Sequence, residues 1–394
     1  MTDPLSAEKP RQYCSGGAAR SRHPCASHVD RQDREVIING RFLTQRTTGV
    51  QRFARQLVLA LDVELQLSDC RAAGLSFTLL APRGTEPPAG LSRIRFRTVG
   101  SRRGHSWEQW DLYRTSRRAT LVNLANSGPL LHPRQVTVIH DAAVYRAPSN
   151  YSLAYGILHR TLGRLLARRS RIATVSEFSN SELSAVLRLR KQDILIIPNS
   201  HDHILEIKPD DGALDRLMVG DRPYFLFVGS LTPNKNLGRA IQAFSLLGRS
   251  DAALVLIGAT EQAVFRDKAA EAPANVIMPG RLNDAEIVAL YRHAVALVFP
   301  SLYEGFGIPP LEAMALGCPV VASSIPPVRE VCGEAALYFD PLDPWDIARG
   351  MKRVLTDQTL RAEMVDKGRE RSATFAWSNS ARRLLDWLMD RHPA

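Results

Sequence analysis

The sequence predicts an α/β protein of two doubly wound, Rossmann-like domains facing each other across a cleft. Three observations carry this. Short apolar runs alternate with longer segments of 3.6-residue periodicity, the pattern of βαβ units and parallel sheets. The alternation runs once through residues 34–205 and again through 223–376, with a polar linker at 206–222 between them. Charge divides along the same line. Residues 1–205 hold 30 basic and 16 acidic side chains, and 206–394 hold 21 and 24, so the net +11 belongs to the first half.

The elements follow in order. Residues 1–33 are polar, contain Arg11, Arg20, Arg22 and Arg31, and read as a disordered tail. Residues 35–38 (Glu-Val-Ile-Ile) form a short buried strand before Asn39-Gly40. A Thr-rich loop ends at Gly49, and 50–67 is an amphipathic helix with Val50, Phe53, Leu57, Leu61 and Leu65 on one side. Strand-like runs follow at 75–80, 94–99, 120–124, 135–139, 171–175 and 193–197, with helices at about 105–118, 150–169 and 178–189. The second series opens with the apolar run 223–228 and continues with strands at 253–257, 275–278, 295–299 and 319–322. Its helices fall near 236–248, 260–271, 283–293 and 310–317. A last helix at 378–390, within the segment 377–394, is expected to pack back on the first domain.

Composition excludes several classes. With 45% hydrophobic and 23% charged residues, the bulk of the chain is neither disordered, collagenous nor coiled coil. No run approaches the ~20 apolar residues of a membrane span. The first 30 residues carry no apolar signal segment, and five unpatterned cysteines read as reduced thiols, so a cytoplasmic chain is expected. No Gly-x-Gly-x-x-Gly follows the first strand, which disfavours a Rossmann dehydrogenase.

The most informative segment is 298–321. A strand ends at Pro300, a loop carries Glu304, Gly305 and Gly307, and Pro309 or Pro310 stands where a helix begins. Glycines let backbone N–H groups approach a ligand. The helix start offers free donors and a positive dipole end, which suit a phosphate. Glu304 and Glu312 stand eight apart and can face one pocket, where carboxylates accept hydrogen bonds from sugar or ribose hydroxyls. From spacing alone, an ordinary strand–loop–helix with an acidic first turn is an equal reading.

The string from Glu304 through Glu312 to Ala315 resembles the E-x7-E signature of retaining glycosyltransferases of family 4 (group 1), whose fold is GT-B, and the resemblance covers most of the chain from about residue 35. It implies that Glu304 contacts the donor sugar and Glu312 the donor's ribose. Phe306, Gly307 and Ile308 would offer backbone groups to the sugar and diphosphate. In Gly229-Ser-Leu-Thr-Pro-Asn-Lys235, Lys235 matches the family's phosphate-binding lysine, whereas Ser230 stands where the family has arginine; Arg239 is a candidate substitute. His140, at a strand end before Asp141, matches a histidine lining the donor-sugar pocket. Gly49 and Arg52 open the first helix near phosphate and acceptor, and Asn126 and Ser127 are placed on the acceptor side. Ser176-Glu177 resembles the family's helix-capping segment, and Pro198-Asn199 the residues before its hinge. The triplet His201-Asp202-His203 is read as a solvated linker rather than a metal site.

No Asp-x-Asp occurs, so the resemblance implies a metal-independent transfer, with no cofactor beyond a nucleotide-sugar co-substrate. The opening Ile38-Asn-Gly-Arg-Phe-Leu43 and the Pro-x-Lys-Asn turn look like bacterial polysaccharide mannosyltransferases using GDP-mannose; UDP-glucose, UDP-N-acetylhexosamine and dTDP-rhamnose stay open. The expected acceptor is a glycan or a polyprenyl-diphosphate-linked chain, in exopolysaccharide or O-antigen synthesis. Arg160, Arg164 and Arg168 form a stripe suited to anionic head groups on the inner face of the plasma membrane, although a solvated helix face fits the spacing as well. Two alternatives stand beside this reading. One is a nucleotide-sugar epimerase on the same fold. The other is a basic nucleic-acid-binding protein, for which aromatic platforms beside the basic clusters are missing.

Overall fold

The computed structural model describes residues 35–67, 74–148, 151–230, 232–258 and 274–390. The expected tail at 1–33, the helix expected near 260–271, and Cys14, Cys25 and Cys70 lie outside the described residues.

The first lobe is a seven-stranded, fully parallel sheet. Its strands are β1 Glu35–Asn39, β2 Ser76–Pro82, β3 Arg95–Val99, β4 Thr120–Asn123, β5 Gln135–Val138, β6 Arg171–Thr174 and β7 Leu195–Ile196. They lie in the order β3-β2-β1-β4-β5-β6-β7. The second lobe is a six-stranded parallel sheet of β8 Tyr224–Val228, β9 Ala253–Ile257, β10 Val276–Gly280, β11 Ala296–Phe299, β12 Val320–Ser323 and β13 Ala336–Phe339. Its order is β10-β9-β8-β11-β12-β13. Continuous apolar strands such as Ala-Leu-Val-Leu-Ile in β9 are buried on both faces, as parallel sheets covered by helices require. In each lobe the strand order reverses beside the first strand, between β1 and β4 and between β8 and β11. Ligand crevices of open α/β sheets form at such a switch point, beyond the carboxyl ends of the strands.

Four elements of the second lobe were not anticipated: β13 and the helices Pro326–Cys332, Pro344–Thr356 and Gln358–Ser372. The helix expected at 105–118 is a composite. Gly104–Ser106 leads into a π-helical turn, Trp107–Leu112, and then into Tyr113–Ser116. The wider turn buries Trp107, whose Nε1 donates to the Val99 carbonyl at 2.9 Å, together with Glu108. The segment 206–222 is packed rather than extended. It holds a short helix, Gly212–Arg216, and Arg216 bridges Asp210 (3.1 Å) and Glu286 (2.6 Å) of the helix Asp284–His293. The helix Trp377–Met389 crosses back and lies along the helix Gly49–Leu67 of the first lobe. Trp377 meets Phe53 edge-on (5.8 Å), Arg382 pairs with Glu64 (3.0 Å), and the Ser380 hydroxyl donates to the Pro198 carbonyl (2.7 Å).

Candidate functional site

The site forms where the loops after β8 and β11 meet the loops after β4, β5 and β6. Asn236 organises the second-lobe side. It takes a left-handed conformation (φ +58°) that asparagine tolerates, and its side-chain amide donates to the carbonyls of Pro300 (3.0 Å) and Pro341 (2.7 Å). Leu302 N–H donates to the Asn234 carbonyl at 2.7 Å, which ties the two loops together. Lys235 is thereby aimed at Glu304, with Nζ–Oε1 2.5 Å and both side chains largely buried. Gly307, at φ +123°, turns the chain into the helix Ile308–Ala315, whose first turn holds Pro309 and Pro310.

Glu312 lies inside this helix and is buried. Tyr291 Oη donates to it at 3.4 Å, and His203 Nε2 stands 3.8 Å away. Burial pushes its carboxyl up to about 7, against the opposing pull of the Arg52 guanidinium. Arg52 reaches over from the first lobe to pair with Asp284 at 2.8 Å and to touch His203 Nε2 at 3.1 Å. Burial, with Arg52 beside it, lowers His203 to about 4, so its contact with Glu312 is not an ion pair at neutral pH. Trp377 Nε1–H points at His203 Nδ1 (3.3 Å). A neutral imidazole accepts at one nitrogen only, so either the Trp377 or the Arg52 contact sets donor against donor.

On the first lobe, His140 is buried edge-on against Phe53 (4.7 Å). Its Nε2 lies 3.0 Å from the Leu124 carbonyl and therefore carries the proton, and burial lowers its pKa to about 4. Its backbone N–H donates to Asn126 Oδ1 at 2.8 Å, and its carbonyl lies 3.0 Å from Ser179 Oγ. The lobes touch here. Ser176 Oγ donates to the Gly305 carbonyl at 2.6 Å, and the single Ser179 Oγ–H is shared between that carbonyl (2.9 Å) and that of His140. A Cβ on Gly305 would stand 2.7 Å from the His140 carbonyl oxygen and 2.8 Å from Asp141 Cβ. The Glu330 carboxylate, from the second lobe, accepts from the N–H groups of Glu177 (2.7 Å) and Phe178 (2.9 Å) at the start of the first-lobe helix Glu177–Leu187.

The structure thus brings together Glu304, Lys235, Gly305, Gly307, Glu312, His140 and Arg52. Gly229 forms the turn beneath Lys235, its N–H donating to the Ile257 carbonyl (3.1 Å). Gly49 abuts the Ile308 side chain across the cleft. Phe306 turns its ring inward against Phe375 (5.8 Å, perpendicular), leaving only its backbone to the cleft. Ser230 is exposed and bonded to Thr232 (2.9 Å). Arg239 Nη1 is bound to Asn236 Oδ1 (2.9 Å). Two acceptor-side expectations change. Asn126, at φ +59°, holds the His140 backbone, and Ser127 is buried between Arg41 (2.6 Å) and Glu108 (2.8 Å) rather than open to a ligand. The triplet at 201–203 is not a solvated linker. His201 is buried, the His203 side chain is almost covered, and Asp202 accepts from Ser200 Oγ and from the Trp377 N–H, both at 2.8 Å. Sequence reasoning missed Asp284, Tyr291, Glu330 and His203 as site neighbours. Their signal is spatial: each acts across the cleft or across the chain's return path.

A family model described as glycosyl transferases group 1 matches residues 215–371. The chain is 30% identical over 260 residues to the O-antigen chain mannosyltransferase B of Escherichia coli, covering 62% of this chain and 68% of that one. It is 31% identical over 224 residues to the serotype-specific mannosyltransferase WbdA of Escherichia coli, over 54% of this chain and 27% of the relative, so it spans about a quarter of WbdA's length. Among solved structures, sucrose-phosphate synthase from Thermosynechococcus elongatus matches with a TM-score of 0.68 at 17% identity, over 91% of this chain and 99% of the other, a likeness of fold.

Proposed function

The chain belongs to the group 1 glycosyl transferases and has their GT-B fold of two Rossmann-like lobes, and from this premise we propose that it transfers mannose from GDP-mannose, with retention, to a glycan or lipid-linked acceptor in bacterial polysaccharide synthesis. The observation that carries the reading is the convergence of Lys235, Glu304 and Glu312 from separate elements on one cleft. Lys235 and Glu304 neutralise each other. A donor exchanges that pair for two others, its diphosphate taking Lys235 and its sugar hydroxyls taking Glu304. The start of the helix Ile308–Ala315 adds dipole and amide stabilisation as the nucleoside diphosphate leaves, without a metal. Glu312 receives the ribose hydroxyls, and neutral His140 forms the first-lobe wall of the sugar pocket without adding charge. Mannose is favoured because the two Escherichia coli relatives described above are named mannosyltransferases. A lipid-held acceptor sets the reaction at a membrane surface; no helix among the described residues is long and apolar enough to cross one.

Thermal shift against a panel of nucleotide sugars tests the donor. GDP-mannose should raise Tm by roughly a few degrees at saturation, and UDP-glucose should not. Glu304→Ala and Glu312→Ala should each reduce transfer at least about a hundredfold while the protein stays folded, as expected for loss of preorganised groups at the reacting centre. Wild-type turnover in both variants would reject the assignment.

A further inference from the structure

We propose that the outer face of the helix Leu153–Arg169 docks the first lobe onto an anionic lipid bilayer. The proposal deepens the reading of a lipid-held acceptor and rests on it only for its purpose.

The helix starts at Ser152, whose hydroxyl accepts from the Tyr155 N–H (3.4 Å). Its inner side is settled by Gly156, Leu162, Gly163 and Leu166, which are buried; Gly163 sits directly beneath the Tyr145 hydroxyl. The outer side is not that of an ordinary soluble helix. Leu153 is 76% exposed, Ile157 52%, Leu158 51% and Leu165 38%. At 100° per residue these four, with Ala154, Thr161, Arg164 and Arg168, fall within one half of the circumference. Single exposed apolar side chains are common on soluble proteins, but a contiguous row of them marks an interaction surface.

Charge selects the occupant. Arg164, Arg168 and Arg169 are exposed toward the C-terminal end, Arg171 follows, and no Asp or Glu occurs from residue 151 to 170. The even stripe that the sequence suggests is not the surface that forms. Arg160 folds back, its Nε donating to the Gly156 carbonyl at 3.1 Å, and leucine and isoleucine share the outer face with the remaining arginines. Apolar side chains beside cations without acids match the boundary between acyl chains and anionic head groups. The helix is about 25 Å long, long enough to lie flat in that boundary. A neighbouring element adds an exposed aromatic, although its Arg102 is itself paired with Asp111 (3.0 Å). His105 meets His159 ring to ring (5.9 Å), and a few residues on, exposed Trp110 lies between Arg102 (5.9 Å) and Arg114 (5.7 Å), a pairing suited to a membrane interface.

Co-sedimentation of the full chain with lipid vesicles tests this. Wild type should pellet with vesicles of equal parts phosphatidylglycerol and phosphatidylcholine, stay in solution with phosphatidylcholine alone, and release as salt rises. Ile157→Glu combined with Leu158→Glu should abolish pelleting while melting like wild type, because both positions face solvent. Replacing Arg164, Arg168 and Arg169 by alanine should weaken partitioning on the order of a hundredfold. Equal binding to both vesicle types, no binding by wild type, or wild-type pelleting by either variant would overturn the proposal. So would a dimer in ultracentrifugation that the glutamate variant dissolves, which would give the face to a second copy. The nucleotide-sugar shift, measured on the same proteins without lipid, keeps the two readings apart. A retained shift with lost pelleting supports docking by this face, and pelleting without any shift leaves docking in place while overturning the donor reading.

Discussion

His140 is held uncharged by its surroundings. Its ring lies against Phe53, its one ring N–H is committed to the Leu124 carbonyl, and burial lowers its pKa from an ordinary 6.5 to about 4. A lowered histidine pKa means the unfolded chain takes the proton first, so stability is present above about 6.5 and lost as pH falls toward 4. His203 acts in the same direction. Melting temperature should therefore fall between pH 6.5 and 4, with His140 contributing on the order of 3 kcal/mol at the acid end. His140→Gln should flatten that slope in a series of melts; an unchanged slope would remove His140 as the cause. Glu312 runs the other way. Its carboxyl is raised to about 7, so the folded state prefers the proton and loses stability as pH rises from about 4.5 through 7.

At the scale of elements, the loop from Pro300 to Gly307 is shaped as much by the opposite lobe as by any ligand. Gly305 is required because a methyl group there would meet the His140 backbone at 2.7 Å. Gly305→Ala should keep the circular dichroism of wild type but lower turnover about tenfold or more, since overpacking at a contact between lobes opposes closure. Turnover equal to wild type would show that the lobes close elsewhere. The loop's glycines and carboxylates were legible in the sequence, because strand end, Gly, Pro and acidic spacing are local signals; the cross-lobe reason for Gly305 was not. The same division holds for whole elements. Apolar runs such as Tyr-Phe-Leu-Phe-Val in β8 announce themselves. β13 is four residues and mostly half-buried, and the helix Gln358–Ser372 buries only Met364, Gly368 and Ser372, leaving no apolar stripe to read.

Across the whole molecule, Arg52 carries information between the lobes. It pairs with Asp284, 232 residues away, and its charge opposes the burial that protonates Glu312. If the carboxylate form of Glu312 receives the donor, kcat/KM should rise with pH through about 7. Arg52→Ala should move that rise to higher pH, with KM increased more than kcat falls; an unmoved profile would confine Arg52 to a structural contact. Arg52 was legible as a candidate at a helix start near phosphate and acceptor; Asp284, which lies opposite it, was not. The return of the helix Trp377–Met389 onto the helix Gly49–Leu67 has a consequence for biosynthesis. On the ribosome, Phe53 and its helix emerge long before Trp377, Leu384 and Leu388, which share their core. At roughly 5–20 residues per second, the nascent first lobe waits for tens of seconds with that face uncovered. Synthesis of that returning helix is thus the step that seals the earlier-made lobe, and a ribosome that stalls before it leaves the first lobe with an open, aggregation-prone flank.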